Sequence, residues 1–113
     1  MKNGLVVNLY GSKCWYKDGL LHREEGPAEE HPNGNKAWYF HGKFHRIDGP
    51  AIETAGGYKV WYLYGKLHRE DGPTIEYTNG TKIWFYQGIN LTATYNCRDQ
   101  ETFEKLLKIL AFL

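Results

Sequence analysis

Short apolar and aromatic runs alternate with polar, glycine-bearing breaks along the chain as far as residue 91. The densest runs surround Trp15, Trp38, Trp61 and Trp84, which stand at a constant step of 23 residues. Segments 15–26 (WYKDGLLHREEG), 38–49 (WYFHGKFHRIDG) and 61–72 (WYLYGKLHREDG) restate one another, and a shortened copy starts at 84 (WFYQGIN). Self-similarity at a fixed step marks one supersecondary unit stacked on copies of itself. The two-residue period of a strand then sorts side chains onto two faces. Cys14, Ala37, Val60 and Ile83 share one face with Tyr16, Tyr39, Tyr62 and Phe85, and the tryptophans share the other with Lys17, Phe40, Leu63 and Tyr86. Both faces carry apolar bulk. This argues against a flat sheet wet on one side and predicts an antiparallel β-hairpin repeat array, either a twisted meander or a solenoid.

Each unit reads as two hairpins. Asn33-Gly34 and Asn79-Gly80 are strong two-residue turn signals, and Tyr10-Gly11 and Gly56-Gly57 fall at the same place. A two-residue loop there predicts Ile75 opposite Trp84, Ile52 opposite Trp61 and Val6 opposite Trp15, each a favourable cross-strand match. Glu29 opposite Trp38 breaks the rule. The second turns are Asp18-Gly19, His41-Gly42, Tyr64-Gly65 and Gln87-Gly88. They predict Tyr16 against Leu21, Tyr39 against Phe44 and Tyr62 against Leu67, with each of Trp15, Trp38 and Trp61 facing His22, His45 or His68. Between units stand Gly26-Pro27, Gly49-Pro50 and Gly72-Pro73. Proline fixes φ and lacks a donor, so the chain is expected to change direction there, with help from the freedom of the glycine.

After Leu91 the period changes. Phe103, Leu106, Leu107 and Leu110 form a helical stripe that Glu101, Glu104, Lys105 and Lys108 avoid. Asn96 and Asp99 are candidate N-caps. The expected organisation is one domain over 1–113, with hairpin repeats at 5–91 and a helix within 96–113 that caps the last strand. The helix end, through Phe112, carries more apolar surface than one stripe hides and is a candidate homodimer contact.

Composition adds limits. The 113 residues are 42% apolar and 16% aromatic, enough to build a core. Fourteen Lys and Arg against thirteen Asp and Glu leave a net charge of +1. That balance argues against a strongly basic nucleic-acid binder and against an acidic mimic of DNA. Two cysteines, Cys14 and Cys97, make neither a disulfide framework nor a cysteine zinc site. The apolar run at the N-terminus is too short for a signal peptide or a membrane span, so a soluble cytoplasmic protein without a membrane partner is expected.

The His-Arg-x-acid sets (His22-Arg23-x-Glu25, His45-Arg46-x-Asp48, His68-Arg69-x-Asp71) are the main candidate chemistry. With two or more strands per unit, equivalent histidines stand about 10 Å apart, too far to share one zinc ion. The expectation is therefore structural, with histidine packed on tryptophan and Arg with its acid holding the Gly-Pro turn. Lys13, Lys36, Lys59 and Lys82 predict a solvated column balanced by Glu30, Glu53 and Glu76. His31 and His41 read as ordinary surface residues. No phosphate-cradling loop, nucleophile elbow or paired-carboxylate motif is present, and no metal or cofactor is implied.

The motifs HREEGPA, HRIDGPA and HREDGPT, with NGxKxW between them, resemble the HRxDGPA-type β-hairpin repeats of bacteriophage and bacterial proteins, which are loosely similar to MORN repeats. The resemblance covers 5–91 and departs at Glu24-Glu25, at Ile47 and at Ile89-Asn90, where His-Arg is missing. It implies a binding role without enzymatic residues. MORN proteins are linked to membrane or protein contacts, and a small phage protein of this kind acts on a host protein in the host cytoplasm. The expectation is a non-enzymatic protein-binding module, an inhibitor of a host defence or regulatory protein. His41, Tyr64 and Phe112 are candidate contacts. The alternative is a nucleotide or small-ligand binder in which Arg23, Arg46 and Arg69 meet phosphate and tyrosines such as Tyr62 stack.

Overall fold

The computed structural model describes residues 1–112, and among them antiparallel strands are followed by two helices. The first unit contains β1 (Gly4–Val7), β2 (Lys13–Lys17) and β3 (Leu20–Leu21). The second contains β4 (Glu29–Glu30), β5 (Lys36–Ala37), β6 (Tyr39–Phe40) and β7 (Lys43–Phe44). The third contains β8 (Ile52–Glu53), β9 (Lys59–Val60), β10 (Tyr62–Leu63) and β11 (Lys66–Leu67). The fourth contains β12 (Ile75–Glu76), β13 (Lys82–Ile83), β14 (Phe85–Tyr86) and β15 (Ile89–Asn90). One open sheet runs in the order β1-β2-β4-β5-β8-β9-β12-β13, with β3 on β2. The pairs β6–β7, β10–β11 and β14–β15 form separate two-stranded ladders, and no barrel closes among the described residues. The fold is thus the expected mainly β hairpin array with a C-terminal helix.

The first turns correct the expected register. Ile75 pairs with Ile83, Ile52 with Val60 and Val6 with Cys14, each one residue short of tryptophan. The reason lies in the loop. Gly80 N–H donates to Tyr77 O at 3.0 Å and Tyr77 N–H to Thr81 O at 2.9 Å, so three residues, not two, close the hairpin. Gly80 takes φ 89° and Asn79 does not take a positive φ, which describes a three-residue loop ending in a left-handed glycine rather than a type I′ turn. Glu29 accordingly pairs with Ala37 and Cys14, not Trp38. In this register Lys13, Glu30, Lys36, Glu53, Lys59, Glu76 and Lys82 alternate across the sheet as cross-strand partners. The second turns have the expected register: Tyr16 opposite Leu21, Tyr39 opposite Phe44 and Tyr62 opposite Leu67. Asp18, His41, Tyr64 and Gln87 all take φ near +50° beside a positive-φ glycine, as a type I′ turn requires.

Small residues make the unit-to-unit joint. Ala28, Ala51 and Thr74, each after the proline, are completely buried. Ala51 N–H donates to Val60 O at 2.8 Å while Ala51 O accepts from Trp38 N–H at 2.7 Å, so one residue bridges two units. At the last unit Thr92 replaces this bridge with its side chain, its Oγ1 accepting from Trp84 N–H at 3.0 Å. Thr92 lies in α1 (Leu91–Tyr95), a one-turn helix that the sequence pattern did not predict. Asn96 ends it in the left-handed region, and Asp99 caps α2 (Gln100–Leu110) by accepting from Thr102 N–H at 2.8 Å. Phe103 of α2 joins Trp84, Leu91 and Cys97 in one buried cluster, against which Leu106, Leu107 and Leu110 pack. The helix therefore covers the final unit. No helix is long and apolar enough to cross a membrane among the described residues.

Candidate functional site

The loops between units are built around arginine. The guanidinium carbons of Arg23, Arg46 and Arg69 lie 3.7, 3.8 and 3.8 Å from the ring centroids of Trp15, Trp38 and Trp61. A planar cation on an indole face gains from both the ring quadrupole and surface contact. Each Arg also donates from Nη1 to the following proline carbonyl, Pro27, Pro50 or Pro73, at 3.0–3.1 Å. Arg46 and Arg69 donate from Nε to Asp48 and Asp71 at 3.2 and 2.8 Å. Nη1 of Arg46 also donates to Glu53 at 3.3 Å, and Arg23, with Glu25 in place of the aspartate, makes the equivalent approach to Glu30 at 3.6 Å. Glycine precedes proline because of the guanidinium above it. A Cβ at Gly72 would stand 2.7 Å from Arg69 Cζ, and one at Gly49 2.8 Å from Arg46 Cζ. Close approach, not a left-handed backbone, is what these loop glycines provide.

Histidine does not pack on tryptophan as expected, although His22, His45 and His68 do pair with Trp15, Trp38 and Trp61 through the backbone. The rings reach forward into the next unit. Nδ1 of His22, His45 and His68 accepts the backbone N–H of His41, Tyr64 and Gln87 at 2.9, 2.9 and 2.8 Å. An Nδ1 that accepts leaves the proton of the neutral ring on Nε2. His68 Nε2 faces Glu70 at 3.3 Å and His22 Nε2 faces Glu24 at 3.5 Å. The His22 ring rests 4.8 Å from Phe40, and the His45 ring 4.0 Å from Tyr64. Burial pulls the His45 imidazole below its ordinary value.

A separate polar chain accounts for Glu29. Ser12 Oγ lies 2.9 Å from His31 Nδ1, and His31 Nε2 lies 3.5 Å from Glu29. Burial and the neighbouring Glu29 carboxylate push the Tyr39 phenol well up. His31 is thus half-buried and engaged, not an ordinary surface residue. Ser12 is only 9% exposed and lines neither groove described next, so the chain acts as a clasp between the first two units.

Successive arginine loops leave grooves between them. One, of about 690 Å³, is walled by Trp38, Phe40, His45 and Tyr64 and rimmed by Glu24, Glu25 and Asp48. The next, of about 610 Å³, is walled by Trp61, Leu63 and His68 and rimmed by Asp48, Glu70 and Asp71. Ile47 borders both and is 83% exposed. Among the described residues no group of three or more His, Cys, Asp or Glu side chains converges as a metal site.

No family model, curated protein or solved structure matches this chain.

Of the residues singled out in the sequence, the first groove brings Arg23, Arg46 and Tyr64 together, and the second brings Arg46 and Arg69. Tyr62 lies elsewhere, stacked 5.0 Å from Phe44. His41 lines neither groove, and its ring lies 4.3 Å from that of His22. Phe112, 90% exposed, lies beyond α2 and apart from both grooves. Sequence reasoning missed Ile47, Phe40 and Glu24 as site residues. The signal for Ile47 was present, since it stands where the neighbouring motifs carry Glu24 and Glu70.

Proposed function

We propose that this protein is a non-enzymatic protein-binding module whose docking surface is the grooved edge formed by the arginine loops. One observation carries the reading: Ile47 stands exposed between two aromatic-walled grooves on a rigidly braced edge. An exposed aliphatic side chain beside Trp, Tyr and Phe, ringed by charge, has the composition of an interface centre. The resemblance to phage-type hairpin repeats makes a host defence or regulatory protein the partner class. The nucleotide alternative draws no support from the arginines. Each guanidinium already covers a tryptophan and donates to a proline carbonyl.

Affinity capture from bacterial lysate with the immobilised chain, run beside Ile47→Asp and Tyr64→Ala, tests this. The expected result is one stoichiometric protein retained by the unaltered chain and lost with Ile47→Asp. A partner held equally by all three chains moves the docking surface elsewhere. Absence of any stoichiometric partner, with nucleotide binding seen by calorimetry, overturns the reading.

A further inference from the structure

Building on the protein-binding reading, we infer that this edge accepts an extended basic peptide segment in polyproline II conformation. The segment carries two cationic side chains, one on either side of a central apolar one, at three-residue spacing.

Charge decides the sign of the ligand. The side chains of Glu24, Asp48, Glu70 and Asp71 are 70–86% exposed, whereas those of the three arginines are 21–27% exposed beneath them. An approaching partner meets carboxylates, although the whole chain has a net charge of +1. Order decides the pattern. Directly after each arginine the units present Glu24, Ile47 and Glu70, an acid–apolar–acid row. Its complement is cation, apolar residue, cation.

Spacing decides the conformation. The second and third units each contribute two strands to the sheet, so equivalent positions stand about 10 Å apart. A polyproline II helix rises about 3.1 Å per residue with three residues per turn, returning to the same face about every 9.3 Å. A β-strand covers that distance in about three residues but turns the third side chain to its opposite face. An α-helix needs about seven residues, and its diameter of about 10–12 Å bridges the loops rather than entering between them. Tyr64, 59% exposed, gives the first groove the flat aromatic surface on which a proline-rich segment docks, while Trp38 and Trp61 stand in the walls beside the arginines that cover them.

The probe is a seven-residue peptide with arginine at both ends, leucine at the centre and proline between, titrated into the full chain. Trp38 and Trp61 line the grooves, so intrinsic fluorescence reports occupancy. The expected result is saturable binding that weakens as salt rises and at least about tenfold in Ile47→Asp or in Glu24→Lys with Glu70→Lys. A nine-residue control, with one more proline on each side of leucine, should bind at least about tenfold more weakly. The milder pair Glu24→Gln with Glu70→Gln should give an intermediate loss, which separates charge from misfolding. Equal affinity for both peptides, or unchanged binding by the charge-reversed chain, overturns the inference. Preference for a helical peptide with leucine midway between arginines about fourteen residues apart also overturns it. Should the peptides fail while lysate capture still depends on Ile47, this ligand class is wrong and the binding reading stands. Should both fail, the binding reading falls as well.

Discussion

Arg46 ties four interactions to one planar group: the face of Trp38, the Pro50 carbonyl and the carboxylates of Asp48 and Glu53. Lysine keeps the charge but has neither the plane nor the fork. Arg46→Lys should therefore cost about 1–2 kcal/mol, read as a lower urea midpoint, even though charge is unchanged. Gly72→Ala tests the same arrangement from beneath. Its Cβ would displace the Arg69 guanidinium, at a cost of about 1–3 kcal/mol, whereas Gly26→Ala should cost less because the nearest Arg23 atom is 3.3 Å away. His45 adds a pH dependence. His45 Nδ1 accepts Tyr64 N–H, and burial holds the imidazole below its unfolded value. The folded chain then binds fewer protons than the unfolded one. The contribution is fully present above the unfolded pKa and is lost as pH falls through the folded one. Urea midpoints taken from about pH 7.5 down to 5.5 should decline, with a shallower slope in His45→Ala.

At the scale of elements, the two hairpin classes show what the sequence could convey. Asp18-Gly19, His41-Gly42, Tyr64-Gly65 and Gln87-Gly88 were legible with correct register, because a two-residue loop leaves only one pairing for Tyr62 and Leu67. Asn79-Gly80 was legible as a turn but not in register, because a left-handed glycine also closes a three-residue loop. One residue of slip exchanges the faces of a strand. The decisive signal was the charge pattern. Only the observed register places Lys36, Lys59 and Lys82 opposite Glu30, Glu53 and Glu76. The grooves were not legible, since they depend on how neighbouring loops sit, although Ile47 stood out as a break in the motif. α1 escaped because its single turn is justified by the bond from Trp84 N–H to Thr92, a tertiary contact without a periodic trace. The positive-φ positions offer an element-level prediction. Gln87 holds φ 48° at some steric cost that Asn tolerates better. Gln87→Asn should raise stability by about 0.5–1 kcal/mol in denaturant unfolding, with no change in the grooves.

Across the whole molecule, burial is unequal from end to end. β1 is exposed along all four residues and has only β2 as a neighbour, while Trp84, Leu91, Cys97 and Phe103 form a buried cluster at the other end. Trp15, Trp38 and Trp61 are half-buried under their arginines, but Trp84 is only 3% exposed under α2. Stability should therefore rise toward the helix, and opening should begin at the first hairpin. Hydrogen exchange checks the gradient: amides of Gly4–Val7 should exchange fastest, and those of Trp84, Leu91 and Phe103 slowest. Phe103→Ala empties the centre of the capping cluster and should cost about 3–5 kcal/mol. The Cys97 thiol, raised by burial in the same cluster, gives an independent readout. It should react slowly with a disulfide reagent in the intact chain and quickly in Phe103→Ala, while Cys14 changes little. Fast Cys97 labelling in the unaltered chain would mean that α2 does not hold the last unit closed. The second groove would then lose its tie to the helix, the bond that Gln100 Nε2 donates to the Asp71 carbonyl at 3.3 Å.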